Sequence, residues 1–215
     1  MVYLSTCNIR LINTRVYTII EDCSPYYITF KFDSLIDIIN YVSNCTSTGP
    51  KYMYNRYYHT NLNEFDAKKL ISMLPMAKDI NFKTDRCAIF ETGPGGGCGI
   101  HKDGKDHRVS FNIPLEIFDD RCITNWYDDN QFIDMPYQGN LNYTRNVSPN
   151  ISDLHKFTAI KSMVAKPNEM ILFNTDIFHS WDNTKSDKSR RILTLRAKNY
   201  STFYFDDAKK ILFGL

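Results

Sequence analysis

Residues 93–116 read GPGGGCGIHKDGKDHRVSFNIPLE, and the fold turns on how this stretch is understood. The spacing from Gly99 through Gly104 to Lys105 satisfies a phosphate-loop pattern, but Asp106 stands where Ser or Thr would ligate magnesium. A carboxylate there repels phosphate. The residues that follow do not begin a helix whose N-terminus would face an anion. Instead, RVSFNIPLE alternates polar and apolar side chains, which is the period of a β-strand. The competing reading is a plain turn between two strands with an exposed His and Asp, and the rest of the chain decides between it and a site.

The same period recurs at CAIFE (87–91), KFTAIKSMVA (156–165), MILFN (170–174) and RILTLRA (191–197), so the second half of the chain is expected to be mainly antiparallel strand. The first half is mixed. VYTII (16–20) and YYITFKF (26–32) are β-branched and aromatic, as strands are. Leu35, Ile38, Ile39 and Val42 then follow a possible N-cap at Asp33-Ser34 with helical spacing. A second helix is expected from about Asn63 to Leu74, with Phe65, Leu70, Ile71 and Leu74 as its apolar face and Pro75 ending it. There is no regular β-α alternation of a doubly wound sheet. Residues 119–153 are polar, aromatic and weakly periodic, and are read as a functional loop or lid with one strand near Ile123–Tyr127.

With 215 residues, one domain is expected, and a formal charge of +2 demands neither nucleic acid nor an anionic membrane. The cysteines at 7, 23, 45, 87, 98 and 122 form no CxxC pair, so reduced thiols in a soluble, intracellular (cytoplasmic) protein are expected.

A metal site accounts for more of the chain than a turn does. Residues i and i+2 of a strand project to one side, so His101 and Asp103 present an imidazole and a carboxylate together while Lys102 points away. His179 follows a turn, an apolar strand and a short loop, and is the expected third ligand. Two histidines and one carboxylate leave three positions of an octahedral ion open, an arrangement associated with non-haem iron(II) chemistry. A dicarboxylic cosubstrate would then need a cation at its far end, and SRRILTLRA supplies one 11 or 12 positions after His179. Arg191 is read as the inward residue because its face, with Leu193 and Leu195, is otherwise apolar; Arg190 is the alternative. On RVSFNIP, Arg108, Ser110 and Asn112 share a polar face that either lines an interior near the cosubstrate or meets solvent.

GIHKDGKDHRVSFNIPLE followed by PNEMILFNTDIFHSWDNTKSDKSRRILTL resembles the iron(II)- and 2-oxoglutarate-dependent dioxygenase superfamily, over about residues 87–197. LFNTDIFHSWDN with Arg-x-Leu-x-Leu is similar to its aspartyl/asparaginyl β-hydroxylase branch, although that branch often lacks the carboxylate found here as Asp103. The resemblance implies a mainly β (α+β) chain with a double-stranded β-helix core, jelly-roll or cupin-like, at 87–197. Residues 1–80 would flank it with strands and helices, 119–153 would be an insertion or lid, and 198–215 a C-terminal extension. It further implies Fe(II) on His101, Asp103 and His179, with 2-oxoglutarate held by Arg191 and by Arg108 and Ser110, and O2 as oxidant. The substrate would be a protein side chain or a small molecule, with succinate and carbon dioxide released. Two rivals predict otherwise: a non-catalytic cupin-like binding module, and a metal-dependent barrel enzyme that does not use 2-oxoglutarate.

Overall fold

The computed structural model describes residues 12–13, 16–45, 51–54, 57–103, 108–116, 119–132, 144–148, 151–197 and 202–215. Among the described residues, fourteen strands and three α-helices run in the order β1 (Ile12–Asn13), β2 (Thr18–Cys23), β3 (Tyr27–Lys31), α1 (Leu35–Ser43), β4 (Lys51–Tyr54), β5 (Tyr57–Asn61), α2 (Glu64–Met73), β6 (Ala88–Thr92) and β7 (Gly97–Asp103). There follow β8 (Val109–Pro114), β9 (Ile123–Tyr127), β10 (Thr144–Ser148), β11 (Ala159–Val164), β12 (Met170–Asn174), β13 (His179–Asp182), β14 (Arg190–Leu195) and α3 (Phe205–Phe213). They form two antiparallel sheets. The larger has the order β1-β2-β3-β12-β8-β14-β6-β5-β4 and the smaller β10-β7-β13-β9-β11.

The large sheet is covered on both faces, and the alternation of side chains sorts them. Ile28 and Phe30 of β3, Phe111 and Ile113 of β8, Leu172 of β12, and Leu193 and Leu195 of β14 point to one side and pack with Ile38 and Val42 of α1, Leu70 of α2 and Leu212 of α3. Each such side chain contributes roughly 1.5–3 kcal/mol of burial. The residues between them face the smaller sheet across the interior. There Tyr27, Ile171 and Phe173 meet Trp126 and Met163 from the opposite sheet in a second apolar cluster, with Tyr27 stacked on Trp126 at 5.1 Å. The outer face of the small sheet is covered by Phe132 and Leu154, from two short 3-10 turns, packed on Ile100, Tyr127 and Phe178.

Asn63 caps α2, its Oδ1 accepting from the Asp66 backbone N–H at 2.8 Å, as Ser, Thr, Asp and Asn do at helix starts. The face of α2 differs from expectation: Ala67 and Leu70 are buried whereas Phe65 is 74% exposed, because two residues on from Phe65 the helix has turned about 200°. Ser34 precedes α1 but spends its hydroxyl on the Met73 carbonyl, joining the start of α1 to the end of α2. The tyrosine-rich strands β4 and β5 extend the large sheet beyond β6. The described parts of 119–153 form β9, β10 and the turns that cover the small sheet's outer face; residues 133–143 lie outside the described ones. Cys45, Cys87, Cys98 and Cys122 are free thiols, as expected, but Cys23 is disulfide-bonded.

Candidate metal and cosubstrate site

β7 and β13 lie side by side with His101 directly opposite His179. Two residues further along β13, Trp181 pairs with Cys98 rather than with Gly99, so β7 carries one extra residue at this point. Such a bulge re-aims side chains locally. It turns Cys98 towards His101, with Sγ 3.6 Å from Nδ1, although Cys98 is not among the converging ligand atoms. The close approach of the strands also requires Gly97, where a Cβ would stand 2.6 Å from the Trp181 carbonyl oxygen.

Both imidazoles are buried and held in the same way. His101 Nδ1 donates to the Gly99 carbonyl at 2.8 Å and His179 Nδ1 to the Ile177 carbonyl at 2.8 Å. Each proton is thereby fixed on Nδ1, and each Nε2 lone pair is left for a metal. Asp103, at the end of β7, has its backbone N–H on the Thr175 carbonyl. Its Oδ2 accepts from Arg196 Nη2 at 2.5 Å, and its Oδ1 lies 3.6 Å from His101 Nε2. Ligand atoms of His101, Asp103 and His179 all fall within 4.8 Å of one another. The donor set and its convergence fit a divalent ion with two imidazole ligands and one carboxylate.

Charge in this pocket is divided unevenly. Burial, and then the neighbouring His101, push the His179 imidazolium down to about 3. For His101 burial works in the same direction but is outweighed by Cys98, Asp103 and the Gly99 carbonyl, which push it up to about 9. Beyond the two Nδ1 protons, the pair thus holds one more at neutral pH, on His101, at the place where a cation would be bound.

Arg190, the first residue of β14, is buried and projects inward, donating from Nη2 to Thr124 Oγ1 of β9 at 3.0 Å. Thr124 is paired with Trp181, two positions along β13 from His179. Two strand residues span about 6.6–6.8 Å. Burial lowers the affinity of Arg190 for its proton, yet a guanidinium remains charged in proteins. Among the described residues no carboxylate pairs with it. A charge taken out of water without a partner costs several kcal/mol, so the interior holds an uncompensated cation a short distance from three metal-ligand atoms.

No protein-family model matches the sequence, and no curated protein matches it. Solved structures do. An oxidoreductase of the 2OG-Fe(II) oxygenase family from Burkholderia pseudomallei superposes with a TM-score of 0.54 at 12% identity, over 83% of this chain and 86% of that one. The epimerase SnoN, solved with Fe3+, alpha ketoglutarate and nogalamycin RO, gives 0.52 at 7% identity over 80% and 78%. HygX from Streptomyces hygroscopicus, with nickel, 2-oxoglutarate and hygromycin B bound, gives 0.51 at 7% identity over 83% and 84%. The fold is that of the 2OG-Fe(II) oxygenases.

Within this oxygenase fold, a double-stranded β-helix of two facing sheets, the positions expected from the sequence separate. His101, Asp103 and His179 are brought together. Arg191 is not inward: it lies on the helix-covered side of β14, 3.0 Å from Glu116 and 3.9 Å from Glu91. The apolar face it shares with Leu193 and Leu195 belongs to the core outside the barrel, while the interior presents Arg190, Ile192, Thr194 and Arg196. Arg108 is engaged by Asp176 at 2.8 Å and lies over the Tyr204 ring, outside the ligand group. Ser110 is buried on the inner face opposite Phe173. Trp181 stands edge-on to His101 at 5.7 Å. The sequence reading missed Arg196, whose signal was the same-face spacing with Arg190, and Thr124, which had none.

Proposed function

We propose that the protein is an iron(II)- and 2-oxoglutarate-dependent oxygenase that oxidises a C–H bond of an organic substrate, hydroxylation being the expected outcome, with 2-oxoglutarate converted to succinate and carbon dioxide. The observation that carries this reading is the buried Arg190, unpaired with any described carboxylate, in the same interior as the His101–Asp103–His179 group. A metal alone leaves Arg190 unexplained; a metal ligand with a second carboxylate satisfies both.

Iron and 2-oxoglutarate, when bound, supply oxidative decarboxylation by O2 and the oxidant that removes hydrogen from the substrate. The residues of the chain orient and isolate that chemistry. His101 and His179 offer Nε2 because Gly99 and Ile177 hold their Nδ1 protons. Arg196 holds Oδ2 of Asp103 and leaves Oδ1 to the ion. Arg190, fixed by Thr124, receives the distal carboxylate of the cosubstrate. Phe173, 5.0 Å from the His179 ring, and Trp126, 4.9 Å from Phe173, close one side of the interior to water.

SnoN was solved with nogalamycin RO and HygX with hygromycin B bound, and the substrate proposed here is likewise an organic molecule or side chain able to enter the interior beside His101. The test is succinate formation from 2-oxoglutarate that requires iron(II), oxygen and an intact His179. Oxygen-independent turnover, or equal turnover by His179→Ala, would refute the assignment.

A further inference from the structure

We infer that the inner face of β5 and β6, together with the turn at Thr84–Arg86, binds a nucleotide unit, the base against the rings of His59 and Phe90 and the phosphate at Arg86. The inference rests on the oxygenase reading above and names its substrate class. The interior is shut on its β3 and β12 side, where Tyr27, Trp126 and Phe173 are 2%, 0% and 6% exposed. On the other side β5 and β4 carry the large sheet past β6. Phe90 pairs with Ile192 of the interior face and with His59, so both rings share that face. They end a row that leads outward from the metal ligands. Trp181 stands 5.7 Å from His101, Phe90 6.4 Å from Trp181, and His59 stacks on Phe90 at 4.7 Å with planes 4° apart. Trp181, Phe90 and His59 are each partly exposed.

Positive charge is added at the same place. The Lys83 N–H donates to the Arg196 carbonyl at 2.9 Å and the Leu62 N–H to the Cys87 carbonyl at 2.8 Å, so the turn is held between the end of β14 and the end of β5. Arg86, its last residue, is exposed. Burial, and then the charges of Arg86 and Arg196, hold the His59 imidazole below its usual range despite its contact with Asn61. An uncharged ring bordered by arginines suits a base that carries a phosphate. The base offers a π-face to the aromatic row, and the phosphate an anion to a guanidinium. A neutral aromatic side chain would use the rings alone, and an acidic peptide the arginines alone. Beside this row, residues 51–59 read KYMYNRYYH, aromatic residues interleaved with basic ones, the composition of surfaces that follow a single strand.

The test is fluorescence anisotropy of short labelled oligothymidylate and oligouridylate on the full chain, with and without Mn(II), across a range of salt. The strands are expected to bind, with affinity falling as salt rises. His59→Ala is expected to weaken binding roughly 5–150-fold. Arg86→Ala, a change at an exposed residue that leaves the fold intact, is expected to lower the slope of log affinity against log salt by about 0.7, with Arg86→Lys restoring it. Displacement by thymidine monophosphate assigns the site to free nucleotides, and displacement by unlabelled strand alone assigns it to nucleic acid. Absence of binding at low salt overturns the proposal, as does wild-type affinity in both alanine variants. Polyglutamate that binds as tightly as the strands would reduce the site to charge and overturn it as well. A chain that binds strands but no 2-oxoglutarate overturns the oxygenase reading instead.

Discussion

Arg196 and Asp103 join the two sheets at the metal end of the barrel: Nη2 of the arginine is 2.5 Å from Oδ2 of the aspartate, and both side chains are 15% exposed. The guanidinium holds one carboxylate oxygen and so dictates which oxygen, Oδ1, faces His101 Nε2. Partners that orient metal ligands typically contribute 10–100-fold to metal affinity. Arg196→Met is therefore expected to weaken Mn(II) or Fe(II) binding by about 10–100-fold, with Arg196→Lys intermediate, measured by competition with a chelating dye. Unchanged affinity in Arg196→Met would show that Asp103 is positioned by the backbone alone.

Neighbouring arginines should behave oppositely. Arg190→Met removes a buried cation that has no described carboxylate partner, and with it a desolvation penalty on the order of several kcal/mol. The ligand-free variant is expected to unfold at equal or higher denaturant concentration than wild type, while its affinity for 2-oxoglutarate falls on the order of 100-fold. Arg191→Ala removes a partly exposed pair with Glu116, worth about 0–1 kcal/mol, and should leave 2-oxoglutarate binding unchanged. Denaturant titration and calorimetry of the two variants decide the matter.

This pair also marks the limit of what the sequence disclosed. The strand period of β8, β12 and β14 was plain, as was the His-x-Asp followed by a distant His, because ligand spacing on strands is a local property. Which face of β14 is interior is not local. A sheet covered on both faces offers no solvent side to orient the pattern, and here the apolar side of Leu193 and Leu195 packs under helices while the polar side of Arg190, Thr194 and Arg196 lines the barrel. The rule that apolar means inward pointed to Arg191 for that reason. Thr124 and the bulge beside Gly99 were equally beyond reach, since each is defined only by a strand distant in sequence.

Metal binding must release the proton that His101 retains up to about pH 9, whereas His179, pushed down to about 3, is already neutral. Protons thus compete with the ion at one imidazole. Between about pH 9 and 6, each unit of acidification is expected to lower apparent metal affinity by up to tenfold, and above pH 9 the dependence should flatten. Affinity measured at four pH values across that range checks the sign and the slope; affinity that rises on acidification would contradict it.

Gly97 can be tested without any ligand. Gly97→Ala places a methyl 2.6 Å from the Trp181 carbonyl oxygen, a backbone atom of the paired strand. Strand separation of this kind costs typically 1–3 kcal/mol, and it would also displace His101 from His179. A lower midpoint of denaturation together with weakened metal binding is expected. A loss of stability alone would mean that the register of β7 and β13 survives at the ligands.

The proposed function requires one interior to hold both a metal and a dicarboxylic 2-oxo acid, which anaerobic calorimetry with Fe(II) and then 2-oxoglutarate checks. One ion per chain, followed by one 2-oxoglutarate that binds only after the metal and fails in Arg190→Ala and His179→Ala, is the predicted result. Tight 2-oxoglutarate binding without metal, or none with it, would rule out a shared metal and cosubstrate site.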